Sequence, residues 1–119
     1  MLGRAQQPFT AEAFSPKADV AVVREAWMEQ VKTDPRVRYF DLLACNHFDV
    51  TRRLREISVP TLIIAGRDDT ITPPERSEVL HRGLRGSKLV ITDDAGHTVP
   101  NEKPQEFNAA VSEFLGALS

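Results

Sequence analysis

Two short apolar runs limit what this chain can fold into. Thr61-Leu62-Ile63-Ile64-Ala65, opened by Pro60 and closed by Gly66, is the first, and Leu89-Val90-Ile91 is the second. Each is too short for a helix and lacks the polar alternation of a strand with one wet face, so both read as strands covered on both faces. Between them Val79, Leu80 and Leu84 suggest a helix that stops near Gly83 to Gly86. Strand, helix, strand in that span implies a parallel pair joined by a right-handed crossover. The expected fold class is therefore α/β. Residues 93–103 then read as a long loop. Pro104 opens a final helix on which Phe107, Ala110, Val111, Phe114, Leu115 and Leu118 make a broad apolar stripe.

The part before Val59 is helical in pattern. Residues 1–15 read as an irregular arm whose Phe9 and Phe14 need a surface to pack on. Ser15-Pro16 has the form of an N-cap with proline at the first helical position, and Val20, Val23, Trp27, Met28 and Val31 follow at helical spacing. A helix over about 16–32 is expected. Asp34-Pro35 repeats the signal for a second helix over about 35–46, with Val37, Phe40, Leu43 and Ala44 on one face. Asp49 or Thr51 is expected to cap a short turn through Leu54 to Ile57. Trp27, Met28 and Phe40 read first as core and second as lining for an acyl pocket.

Composition excludes several partner classes. With 119 residues the chain holds one domain, and 41% hydrophobic against 27% charged residues is an ordinary globular balance. A formal charge of -2 with no basic stripe gives nucleic acid or an anionic membrane no electrostatic support. No apolar run approaches a membrane span, and residues 1–10 lack a signal core. Cys45, the single cysteine, cannot form an internal disulfide. A cytoplasmic location is the resulting expectation.

In open α/β sheets, sites form beyond the carboxyl ends of the strands. Both expected strands end in polar loops, Gly66-Arg67-Asp68-Asp69-Thr70-Ile71-Thr72-Pro73 and Asp94-Ala95-Gly96-His97-Thr98-Val99-Pro100. Parallel pairing sets these loops side by side, so a hydrogen bond between Asp69 and His97 is geometrically natural. Such a carboxylate fixes the imidazole tautomer and stabilises the imidazolium formed when the ring takes a proton. The bland alternative is a loop cap beside a polar loop histidine.

The sequence resembles the α/β-hydrolase superfamily, in particular its lid-bearing esterase-like branch. The resemblance is carried by Ala44-Cys45-Asn46 with Phe48-Asp49-Val50, by Ile57 through Gly66, by Asp69 with Thr72-Pro73-Pro74, by Ala95-Gly96-His97, and by Glu102-Lys103-Pro104. It implies that residues 1–58 are lid helices and their return, and that residues 59–119 are the last strand-helix units of the sheet. It makes Asp69 the triad acid and His97 the triad base, acting on a small ester or similar carbonyl substrate without a cofactor. The family's nucleophile sits in a Gly-x-Ser-x-Gly elbow, and none of the six glycines here flanks a serine at that spacing. The expectation is a C-terminal half that carries acid and base and is completed by an N-terminal half holding the serine. The alternative is a non-catalytic half-fold that self-associates through strand 61–65, whose unpaired edge is a template for another strand.

The remaining candidates have plainer readings. Asp68 is expected to stabilise its turn or face solvent, and His81 to lie on a solvated helix face. Cys45 with His47 could suggest a thiol nucleophile, but Cys45 among apolar residues reads as a small buried hydrophobe. Glu102 is expected to bond main chain in the histidine loop or at the helix start. The histidines and acids lack metal-ligand spacing, so no metal is expected.

Overall fold

Two aspartates start the first two helices. Asp19 accepts a hydrogen bond from the Ala21 N–H and Asp34 one from the Arg36 N–H, both at 2.8 Å. These meet donors that a first helical turn leaves unpaired. The helices are α1 (Val20–Gln30) and α2 (Pro35–His47), the second with proline in its first turn as expected. The computed structural model describes residues 12–119, so Phe9 and most of the expected arm lie outside the described residues.

The expected start near residue 16 is corrected. Ser15-Pro16 instead makes a tight turn in which the Ala18 N–H donates to the Ser15 carbonyl at 2.9 Å and the Lys17 N–H to Ser15 Oγ at 3.2 Å. The apolar faces of these helices are corrected more deeply. Neither helix buries a residue, Trp27 and Met28 are each 49% exposed, and Phe40 is 65% exposed. Their stripes are real, but residues 12–119 supply no surface for them to pack on. Cys45, expected to be buried, is exposed for the same reason.

A 3-10 turn, Thr51–Glu56, leads into the sheet, and the Thr51 N–H donates to Asp49 Oδ1 at 2.9 Å. Strand β1 (Leu62–Gly66) pairs in parallel with β2 (Lys88–Thr92), with Leu62 opposite Lys88 and Gly66 opposite Thr92. The crossover is α3 (Pro74–Gly83), packed on both strands and on the 3-10 turn. Leu54 seats against Gly83, where a Cβ would come within 2.7 Å of Leu54 Cδ1. Leu54, Ile63 and Leu84 form the core with Leu89 against them.

The pleat then sorts the strand. Ile63 and Ala65 are buried, whereas Leu62 and Ile64 on the opposite face are only half-buried. The expectation of cover on both faces is thus met on one. One edge of β1 has no strand partner among the described residues. After β2, within the stretch 93–103 whose sequence predicts loop, comes a short helix, α4 (Val99–Glu102), and then α5 (Pro104–Ala117). No described helix is long and apolar enough to cross a membrane.

Candidate active site

The two strand ends are joined main chain to main chain. The sheet ladder runs on past both strands, with the Arg67 N–H donating to the Thr92 carbonyl and the Asp68 N–H to the Ala95 carbonyl, each at 2.9 Å. A Cβ on Gly66 would lie 2.1 Å from the Gly96 oxygen and 2.3 Å from the Ala95 oxygen, so only glycine allows this approach. Gly96 in turn lies against residues 13–15. A Cβ there would sit 2.7 Å from Ala13 O, Phe14 C and Ser15 N. Three stretches of backbone are stacked, and the buried Ala13, Phe14 and Ser15 form the outer one.

This stacking brings Asp69 and His97, 28 positions apart, into direct contact. Asp69 is buried and fully engaged. Its Oδ1 accepts from the N–H groups of Ile71 at 2.9 Å and Thr72 at 3.0 Å, while Oδ2 accepts from Thr72 Oγ1 at 3.1 Å. His97 Nδ1 lies 2.9 Å from the same Oδ2. An ionised carboxylate only accepts, so the proton of this bond is assigned to Nδ1, which leaves the lone pair on Nε2. The His97 side chain is 36% exposed, and its main-chain N–H is held by the Ala13 carbonyl at 2.6 Å. A buried carboxylate and an oriented, partly exposed ring are parts of a proton-transfer device.

Glu102 is delivered to the same place by α4. Its carboxylate accepts from the Gly96 N–H at 3.0 Å, the Thr98 N–H at 3.2 Å, Thr98 Oγ1 at 3.0 Å and the Ser15 N–H at 2.7 Å. Bonding to main chain in the histidine loop was the expectation for Glu102, but the helix that carries it was not foreseen. Pro100 beside Val99 was the available signal. Ser15 was missed as a site residue because it read as a helix cap. Its hydroxyl donates instead to Asp68 Oδ2 at 2.6 Å, and Asp68 is half-buried rather than a free surface group.

Outside this cluster, His81 is exposed on α3 with its Nδ1 2.8 Å from Ser87 Oγ. Cys45 and His47 are exposed at the end of α2 and make no hydrogen bond to Asp69 or His97. Charge at the rim is paired. Lys17 Nζ donates to Asp94 Oδ1 at 2.7 Å, which holds the Asp94 carboxyl below its usual range and raises Lys17. Asp94 carries a left-handed φ of 54°, a conformation aspartate tolerates better than most residues. Arg67 pairs with Asp93 beside it.

The parallel strand pair and its crossover helix are the C-terminal part of an α/β-hydrolase fold, with Asp69 and His97 on its adjoining strand-end loops. The chain belongs to the serine hydrolase family, whose sequence profile, described as "Serine hydrolase (FSH1)", matches residues 10–109. Among curated relatives, the "Putative carbamate hydrolase RutD" of Rhizobium rhizogenes is 34% identical over 91% of this chain and 47% of its own length. The pimeloyl-[acyl-carrier protein] methyl ester esterase of Neisseria meningitidis is 38% identical over 60% of this chain and 28% of its own length. A hydrolase structure from Pseudomonas aeruginosa superposes with a TM-score of 0.85 at 29% identity, covering 97% of this chain and 44% of that one. The chain therefore spans less than half the length of these relatives.

Proposed function

We propose that this chain supplies the acid and base of a serine hydrolase acting on a small ester or a carbonyl compound of similar reactivity, such as a carbamate. The observation that carries the reading is the 2.9 Å bond between His97 Nδ1 and the buried Asp69 carboxylate, on a ring whose side chain is partly exposed. Asp69 orients the ring and stabilises its charged form. His97 Nε2 takes the proton of a serine hydroxyl as its oxygen attacks the substrate carbonyl, then returns that proton to the departing alcohol. The same nitrogen next deprotonates the water that releases the acid and regenerates the serine.

These 119 residues contain no Gly-x-Ser-x-Gly elbow, so in this reading the serine and the oxyanion-hole donors come from polypeptide outside them. Residues 1–58 serve as lid and return, and residues 59–119 as the end of the core. The exposed stripes of α1 and α2 and the open edge of β1 support the need for such a complement. They equally favour a second reading, a half-fold that pairs with its own copy through strand 61–65.

An acid and base alone lack both the attacking group and the donors that stabilise the oxyanion. The chain alone is therefore expected to hydrolyse a p-nitrophenyl ester near the background rate. Supplying the N-terminal half of a homologous hydrolase should restore turnover, and His97→Ala should remove about 10⁴-fold of it. Turnover by the chain alone that disappears in His97→Ala would overturn the proposal, as would a completed enzyme indifferent to that substitution.

A further inference from the structure

We propose that Glu102 is the positioning residue of His97: its carboxylate grips the main chain on both sides of the histidine and thereby sets the ring's approach to Asp69. The inference rests on the reading above, in which Asp69 and His97 are the working pair, and it deepens that reading by naming what aligns them.

The case begins with three consecutive main-chain donors. The N–H of His97 goes to the Ala13 carbonyl, and the N–H groups of its two neighbours, Gly96 and Thr98, both go to Glu102. Loop backbone of this kind has no ladder to satisfy it, and a partly buried N–H left unpaired is costly. A single carboxylate meets the demand because its two oxygens offer about four acceptor positions. Here four donors share them: Ser15 N reaches Oε1, Thr98 N and Thr98 Oγ1 reach Oε2, and Gly96 N lies between the two oxygens. Glutamine could not do the same, since one of its two ends presents hydrogens rather than lone pairs.

Glu102 makes no bond to the ring itself, so its effect passes through the backbone. With Cα of His97 clamped from both neighbours, the ring reaches Asp69 Oδ2 by side-chain rotation alone. The fourth donor, Ser15, comes from 87 positions away. The same carboxylate that aligns His97 therefore fastens the segment leading to α1 and α2. Asp68 secures that segment a second time, through Ser15 Oγ at 2.6 Å.

The test is proton NMR of the full chain, labelled with ¹⁵N, following the His97 Nδ1 proton together with the amides of Gly96, Thr98 and Arg67. In Glu102→Gln the Gly96 and Thr98 amides and the ring proton should exchange about tenfold faster, while the Arg67 amide, bonded to the sheet, keeps its protection. A ring proton unchanged in Glu102→Gln would overturn the proposal. If that variant also loses protection at Arg67, Thr98→Val decides, because it removes one donor and leaves the carboxylate in place. A faster ring proton there upholds the proposal, and an unchanged one overturns it. Asp69→Ala, which leaves no acceptor oxygen at that position, separates the two readings: a ring proton that survives this change overturns the acid-base pair and not the grip of Glu102.

Discussion

A methyl group at position 66 has no room, because it would lie 2.1 Å from the Gly96 carbonyl oxygen, and that oxygen belongs to backbone that cannot rotate away. Gly66→Ala must push the histidine loop off the strand end, and the expected cost is about 3 kcal/mol or more in a urea denaturation experiment. Gly86→Ala is the contrast, since nothing lies within 4 Å of a Cβ there and only its positive φ opposes the change. That Asp69 and His97 could meet was legible in the sequence, because parallel pairing of two recognisable β runs sets their loops side by side, but the resemblance rather than the spacing chose that bond over a loop cap beside a polar histidine. The contribution of Ser15 was not legible. Serine before proline is a standard helix start, and only the folded chain shows that its hydroxyl is committed to Asp68 and its N–H to Glu102.

Between residues and fold lies the segment 12–18, which crosses both loops as a strap. It is held by Ala13 O to the His97 N–H, by Glu12 O to Thr70 Oγ1 at 3.0 Å, by Ser15 to Asp68 and Glu102, and by Lys17 to Asp94. The last of these gives the strap a pH dependence. Lys17 depresses the Asp94 carboxyl in the folded chain, so its contribution is fully present above the ordinary aspartate value of about 3.9 and fades as pH falls through the lowered one. Both groups are largely exposed, so the effect is modest and screened by salt. Hydrogen exchange at the Ala18 amide should rise as pH drops below about 4 relative to intrinsic rates, and Lys17→Ala should abolish that rise. At this scale α2, α3, β1, β2 and α5 were readable from apolar period and from the prolines that open the helices. α1 was readable too except for its start, which falls after Asp19 because Ser15 is engaged elsewhere; α4, a single turn with too few residues to show a period, was not.

The whole molecule is unfinished as a surface. Its 9025 Å² of accessible area compares with about 6,450 Å² for a compact monomer of 13.3 kDa. Its radius of gyration of 15.9 Å likewise exceeds the roughly 13.5 Å of a closed domain of this length. The difference is about 2,600 Å² on one chain, or about 5,200 Å² counted over both partners, which is the upper range of a permanent interface. The stripes on α1 and α2 could not report it, because they look the same whether their cover lies within the chain or outside it; the absent Gly-x-Ser-x-Gly elbow was the signal that did. Kept apart from any complement, the chain should cover this area with a second copy and sediment at twice 13.3 kDa or more. A single species at the monomer mass would count against that outcome. The strap has a further consequence, in time rather than in area. The Arg67–Asp93 pair at the sheet end closes a loop of 26 positions, whereas Ser15 reaches Glu102 across 87. Closing the longer loop costs about 1 kcal/mol more chain entropy, and a handful of polar bonds is the return. The sheet is therefore expected to form before the strap docks, and the strap to lift before the sheet opens.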